Sequence, residues 1–388
     1  MRITAARIYL VNSGPFHPVL LELLTDTGPN GIGEAAVAYG LGGTAAAGML
    51  KDYCEALVLG RDPFRIEELW SAMYDHSFWA KGGGSIVFAA VSAIEAALWD
   101  IKGQALGVPA YELLGGAFCS DVRVYANGWC SGKATPEEFA KAGQRPVSEG
   151  YDALKCYPLG VRSPSGTMRH VTRRMVEAQA ADLAYEKIAA LRRAVGPKVA
   201  IMLDMSCGLT TDESIRLCRR WEELDILFVE EPVDAFDVPA LQKVSRSIAI
   251  PIAVGERLYT RHGFRTVLET RAADIVQPDA GNTGGIMETK KIAAMAEAYT
   301  MRVAPHNCGS SLSTAMALQV CACIPNFMIQ EIYPYFPENP GHVEVLENPP
   351  ERTVRNGRMA IPTGPGLGVR LDRAAIAPFL WAECNAGG

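Results

Sequence analysis

The sequence has no uninterrupted apolar run of the roughly 18 residues that a membrane span needs. It has no excess of positive charge: the net charge is −6 and the pI about 5.7, which argues against a nucleic-acid footprint. No CxxC pair occurs among its ten cysteines, so the usual zinc spacing is missing, and the scattered cysteines are expected to be reduced thiols in a cytoplasmic protein. No GxGxxG follows a strand-like run, which removes the dinucleotide-binding fingerprint. The N-terminus, `MRITAARIYLV`, alternates like a strand and lacks an apolar leader segment with a cleavage site. Histidine is sparse, with six in 388 residues, so each one near a strand end counts.

The first 115 or so residues read as strands (`RITAARIYLV`, `PVLLELLTD`, `GPNGIGEAAV`) followed by helices. The longest helix starts near Ser85, runs through `IVFAAVSAIEAALWDIKG` and stops at Gly103; apolar residues wrap most of its circumference, which predicts burial. From about residue 120 the texture changes. Eight short apolar runs alternate with amphipathic segments: `VRVYANGW`, `DALKCYP`, `VAIMLD`, `ILFVEEP`, `PIAVGE`, `ADIVQPD`, `MRVAPH` and `NFMIQE`. Alternation of this kind predicts βαβ units and a parallel sheet, hence an α/β fold. Eight units in series point to a closed TIM-type barrel, with a doubly wound open sheet as the alternative.

Six consecutive runs end in a polar residue: Asp204, Glu230, Glu256, Asp279, His306 and Glu331, spaced 23 to 27 residues apart. One βα unit of a barrel has about that length, so all six would stand on the rim where barrels carry their chemistry. Three crowded carboxylates, Asp204, Glu230 and Glu256, repel one another; two charges about 4 Å apart cost roughly 4 kcal/mol at an effective dielectric of 20. A divalent cation removes the penalty, and an all-oxygen set selects a hard ion, most simply Mg²⁺. Glu231 follows Glu230 directly and is expected to point elsewhere, as a supporting partner. Asp279 on one imidazole nitrogen would fix the tautomer of His306 and raise its basicity, which makes His306 the general acid/base. Glu331 would steady an anionic oxygen if protonated, or orient Lys and Arg side chains. Lys155 and Tyr157 share a face of the second run by alternation. Lys155 would neutralise a substrate carboxylate, and Tyr157 would offer a hydroxyl opposite His306.

These stretches resemble a known family. `SAIEAALWDIKGQALGVPAYELLGG`, `VEEPV`, `VGE`, `QPDAGNTGGI` and `APHN` are similar to the enolase superfamily, in its mandelate racemase/muconate lactonising enzyme branch. The resemblance implies an α+β capping domain (1–117), a modified TIM barrel of (β/α)7β type (118–361) and a C-terminal segment packing on the cap (362–388). It implies one Mg²⁺ per subunit on Asp204, Glu230 and Glu256, and removal of the proton α to a carboxylate. The pair His306 and Asp279, with Glu331, is similar to the mandelate racemase-like subgroup. Two features depart from the family. The second lysine of that subgroup's K-x-K is Tyr157 here, and the histidine that a galactonate dehydratase of the family places two residues after the first metal ligand is Ser206.

The segment from Lys155 to Asp204 spans 49 residues, far more than its neighbours. Its surplus carries Arg162, Arg169, His170, Arg173 and Arg174, which could meet an anionic substrate or a neighbouring subunit. Ser206, Arg162, Asn127 at the end of the first run and His17 in the capping loop 12–18 are the candidate substrate contacts. The expected activity is dehydration of an acid sugar to a 2-keto-3-deoxy acid. A racemase, epimerase or cycloisomerase on a similar acid is the alternative, and a non-catalytic barrel a third reading. The expected partner is a small carboxylate substrate, with no nucleic acid and no membrane, in a homo-oligomer.

Overall fold

The computed structural model describes residues 1–12, 16–162, 168–169, 175–335 and 342–387; the side chains of 161–162 and 168–169 are outside that description. The described residues build an α/β fold with two large sheets and a short two-stranded one. Ile3–Leu10, Val19–Thr25 and Gly31–Ala35 form an antiparallel meander, and Leu380–Asn385 from the other end of the chain pairs antiparallel with the first of them. Helices Gly43–Tyr53, Ile66–Asp75 and Gly84–Leu106 complete this cap.

Gly84–Leu106 is the longest helix, and by length and composition it is apolar enough to cross a membrane. Instead it is the spine of the cap. Most of its residues are buried, on every face, and it lies directly on the third strand. The contact is close enough to require glycine: a Cβ on Gly33 would come within 2.1 Å of the Ala93 carbonyl oxygen.

The second sheet is the barrel. Its eight strands are Asp121–Ala126, Ala153–Cys156, Ala200–Asp204, Ile226–Glu230, Ile252–Val254, Ile275–Val276, Arg302–Val303 and Gln330–Ile332. Neighbours pair in parallel, and the eighth pairs with the first. Closure between the seventh and eighth comes from a parallel bridge, with Val303 N donating to Asn326 O (2.9 Å) and Met328 N to Val303 O (2.8 Å). Eight side chains, six from the strands themselves and two (Ala304 and Ile329) flanking the seventh and eighth, fill the centre: Tyr125, Ala153, Met202, Phe228, Ala253, Ile275, Ala304 and Ile329. The barrel is therefore packed, and its chemistry has to sit at the rim. Seven helices link the strands, from Pro136–Ser148 to Ser311–Cys321. The first is started by Thr135, whose hydroxyl accepts from Glu138 N (3.2 Å) while Glu138 reaches back to Thr135 N. Among the described residues no comparable helix follows the eighth strand, so the architecture is (β/α)7β.

Buried carboxylates clasp cap to barrel. Glu95 accepts from Ile286 N (2.7 Å) and Met287 N (2.9 Å), at the start of helix Ile286–Ala298, and from Trp99 Nε1 (2.6 Å). Asp100 accepts from Ile32 N (3.0 Å) and Leu367 N (2.8 Å), tying in the C-terminal segment. Burial pushes both carboxyls up to about 7. Glu95→Ala strips three buried donors of their acceptor and is expected to cost on the order of 3 kcal/mol or more in denaturant unfolding, with a lowered Tm.

Candidate active site

The rim groups converge, by three different routes. Asp204 and Glu230 end the third and fourth strands and are register partners. Glu256, Asp279 and His306 lie two or three residues past the ends of their strands, and Glu331 sits in the middle of the eighth. Gly255 lets the chain turn Glu256 inward: its φ is 157°, and a Cβ there would come within 2.5 Å of the Gln277 backbone. Beyond the third and fourth strands the backbone is strained. Ser206, Cys207 and Glu231 all take left-handed conformations, held by Cys207 N donating to Glu231 O (2.9 Å).

His306 stands between carboxylates. Its Nδ1 is 2.8 Å from Asp279 Oδ2 and its Nε2 is 3.1 Å from Glu256 Oε2 and 3.9 Å from Glu331 Oε2. Burial opposes its charge, but Glu256 and Asp279 outweigh burial and hold the imidazole well above its ordinary value. Each ring nitrogen thus faces a carboxylate oxygen.

Lys155 is buried, with its Nζ 2.7 Å from both Glu230 Oε2 and Glu331 Oε1 and 3.9 Å from Asp204 Oδ2. Burial opposes this charge too, and Glu230 and Glu331 overcome it. The ammonium that the sequence reading assigned to a substrate carboxylate here meets carboxylates of the fourth and eighth strands, across the barrel rim. Glu331 accepts from Lys155, from Asn127 Nδ2 (2.7 Å) and from Asn307 N (3.0 Å). Burial raises its carboxyl, but Lys155 and His306 bring it below the ordinary value. With three donors on its two oxygens, Glu331 has the geometry of the second of its two expected roles, orienting Lys155.

Asn127 is fully buried. Besides Glu331 it donates to Tyr333 OH (3.0 Å), with Tyr157 OH at 3.4 Å. It lies behind the rim and orders it. Burial and then Asp204 push the Tyr157 phenol well above its ordinary value. Tyr157, from the second strand, and His306, from the seventh, flank the carboxylates from opposite sides. Ser206 donates through N (2.7 Å) and Oγ (3.1 Å) to Asp204 Oδ1. His17 is half-buried and its N–H donates to Ala38 O (2.7 Å); among the described residues of that loop, Phe16 has its ring 6.3 Å from that of Tyr333. Arg162 and Arg169 lie in a short antiparallel pair after the second strand, their side chains outside the description. His170, Arg173 and Arg174 fall outside the described residues altogether.

Several site residues were not singled out by the sequence. Arg257 bridges Glu256 and Glu231; its only signal was adjacency to Glu256. Gln277 donates to Glu230 Oε2 (2.8 Å). Cys207 donates its thiol to Glu231 Oε2 (3.2 Å), so it is more than apolar filler. Glu231 is fully buried and faces Arg257 and Cys207, away from the partners of Glu230; it shares Arg257 with Glu256.

The donors suit a hard divalent cation. Asp204, Glu230 and Glu256 offer oxygen only, and Glu230 Oε1 is buried without a hydrogen-bond partner. Burial above all, with Asp204, Glu331 and Glu256 adding to it against Lys155, lifts the Glu230 carboxyl to about 8. Among the described residues no three such groups are drawn into a closed cage. Lys155, His306 and Arg257 hold the carboxylates instead.

These features define a (β/α)7β barrel with an acidic rim and a His–Asp pair, beneath an α+β cap. The sequence matches the mandelate racemase/muconate lactonizing enzyme N-terminal domain over residues 12–115 and the enolase C-terminal domain-like family over residues 138–375. The chain belongs to the mandelate racemase/muconate lactonizing enzyme family of the enolase superfamily. It is 36% identical to the D-xylonate dehydratase of Haloferax volcanii, covering 94% of this chain and 85% of that one. It is also 36% identical to the D-galactonate dehydratase of Variovorax paradoxus, over 97% of this chain and 94% of the relative. A crystal structure from Mesorhizobium loti, described as a candidate dehydratase, superposes with a TM-score of 0.97 at 59% identity, covering 99% of this chain and 100% of that one.

Proposed function

We propose that this chain dehydrates an acid sugar, an aldonate or aldarate, to the 2-keto-3-deoxy acid, as a hydro-lyase. The observation that carries the reading is the His306–Asp279 pair, 2.8 Å apart, on one side of the acidic rim, with a tyrosine rather than a lysine on the other. The names of the relatives support it: D-xylonate and D-galactonate dehydratases, and the D-gluconate dehydratase of Thermoproteus tenax at 32% identity over 94% of this chain and 70% of that one.

Asp204, Glu230 and Glu256 would hold one Mg²⁺ per subunit. When bound, Mg²⁺ supplies electrophilic stabilisation of charge developing on the substrate carboxylate. His306 moves the protons: it takes the α-proton as base or protonates the departing β-hydroxyl as acid, so that water is lost across the α,β bond. Asp279 orients the imidazole, and Glu331, with Lys155 and Asn127, keeps a fixed charge behind the carbon being deprotonated. Ser206 would contact substrate beside Asp204, and Arg162 from the inserted segment would meet its carboxylate.

A racemase needs a second base on the opposite face. Tyr157, with a phenol raised by burial, is a poor one. All ten cysteines are free and most are buried, which suits a reducing cytoplasm. Exposed Phe78 and Trp79 on the cap suit a homo-oligomer.

Incubation with a library of aldonates and aldarates tests the reading. Formation of a 2-keto-3-deoxy acid from at least one of them, with xylonate, galactonate and gluconate tried first, is the expected result. Epimer without keto acid would make the chain a racemase, and neither product with any acid would overturn the assignment.

A further inference from the structure

The third strand of the cap, Gly31–Ala35, runs out against the two barrel loops that carry Asp279 and His306. Ala36 N donates to Gly281 O (2.9 Å), two residues beyond Asp279. Glu34 reaches the other loop. Its Oε1 accepts from Ser310 N (2.9 Å), and its Oε2 accepts from Ser313 N (3.0 Å) and from the Ser310 hydroxyl. Glu34, Ser310 and Ser313 are all buried. The carboxyl sits at the start of helix Ser311–Cys321, where unpaired N–H groups favour an anion. The junction has no slack: a Cβ on Gly281 would come within 2.6 Å of Ala36 Cβ and 3.4 Å of Asp279 Oδ1, and one on Gly309 within 2.8 Å of Glu34 Oε1.

We propose that Glu34 is a positioning residue for the reaction: from the cap, it fixes the His306 loop against the Asp279 loop and so sets the bond between them. The proposal rests on the reading of His306–Asp279 as the reacting pair. Strand pairing ends at Val276 and Val303, so each functional group stands on chain that has already left the sheet. The separation of the two loops is then set by what packs on both of them, and this strand of the cap bonds to both. A misplacement of about 1 Å at such a pair costs on the order of a hundredfold in rate. Glutamine cannot take over, because three donors converge on the two oxygens, and an amide would turn its own N–H2 toward an N–H.

Glu34→Gln is expected to lower kcat about 10- to 100-fold while KM stays within about threefold. In an Asp279→Asn background the same change should cost less than about threefold, since the pair it serves is already broken. The downfield proton of His306 Nδ1, assigned in NMR spectra by its loss in His306→Asn, should shift or vanish in Glu34→Gln. Gly281→Ala, which wedges the same junction from the other side, and Ser310→Ala, which removes the hydroxyl bond to Glu34 together with the cap on Leu312 N, should lower kcat in the same sense if Glu34→Gln does not fold. Losses that add fully to those of Asp279→Asn, or a folded Glu34→Gln with wild-type kcat and an unmoved imidazole proton, would overturn the proposal. If the wild-type chain dehydrates no acid sugar, the functional reading falls, and the imidazole proton still decides the role of Glu34.

Discussion

His306→Asn is expected to lower dehydration by about 10³-fold or more, near the upper range for loss of a general acid or base. The α-proton of a carboxylate is a very weak acid, and the β-hydroxyl is a poor leaving group unless protonated. His306 is the one imidazole on the rim among the described residues, and it is held by Asp279 at 2.8 Å. Asp279→Asn keeps the imidazole but removes the charge that orients it, so a smaller loss, about 10- to 100-fold, is expected. Exchange of the α-proton in D₂O separates the two roles. A His306→Asn variant that still exchanges but forms no keto acid identifies His306 as the acid for the leaving hydroxyl, with the base on the Lys155/Tyr157 side. Loss of exchange and product together identifies it as the base. Wild-type dehydration by this variant would refute the assignment.

Glu230→Gln is expected to weaken Mg²⁺ binding about 100-fold, or about 2.7 kcal/mol in calorimetric affinity. Glu231→Gln should weaken it far less. Both glutamates are buried, and each keeps one oxygen without a hydrogen-bond partner. What separates them is direction. Glu230 is in register with Asp204 and faces Lys155 and Gln277. Glu231 follows in a left-handed conformation and faces Arg257 and Cys207. Chelation should abolish turnover, and Mg²⁺ should restore it. Thermal melts of both variants guard against misreading a folding defect, because Glu230→Gln also takes from Lys155 one of its two nearest counter-charges. The opposite ranking of the two variants would shift the ligand assignment by one residue; full turnover in metal-free buffer would remove the cation from the reaction.

Much of the site could be read from the chain because a barrel converts sequence spacing into convergence. A repeat of 23 to 27 residues ending in Asp204, Glu230, Glu256, Asp279, His306 and Glu331 suffices to place six side chains on one rim. The eight runs named from hydropathy are the eight strands, since each is apolar enough to be buried on both faces and has a helix-length segment after it. The long helix through Glu95 and Asp100 was readable as buried for the same reason, its apolar circumference.

Which charges answer one another was not readable. Lys155 sits 75 residues from Glu230 and 176 from Glu331, yet its ammonium lies 2.7 Å from each. Arg257, Gln277 and Tyr333 carry no spacing signal. Their roles depend on which side chains burial brings together, and a buried charge or amide takes whichever partner lies nearest. The same holds for Glu34, which reads in sequence as one residue of an unremarkable strand and in the fold caps a helix 276 residues away. Local pattern settled the barrel, its rim and which residues meet there, because these follow from periodicity along one chain. The pairing of charges and the grip of the cap on the barrel came from tertiary packing, because they depend on distances between segments that no local repeat encodes.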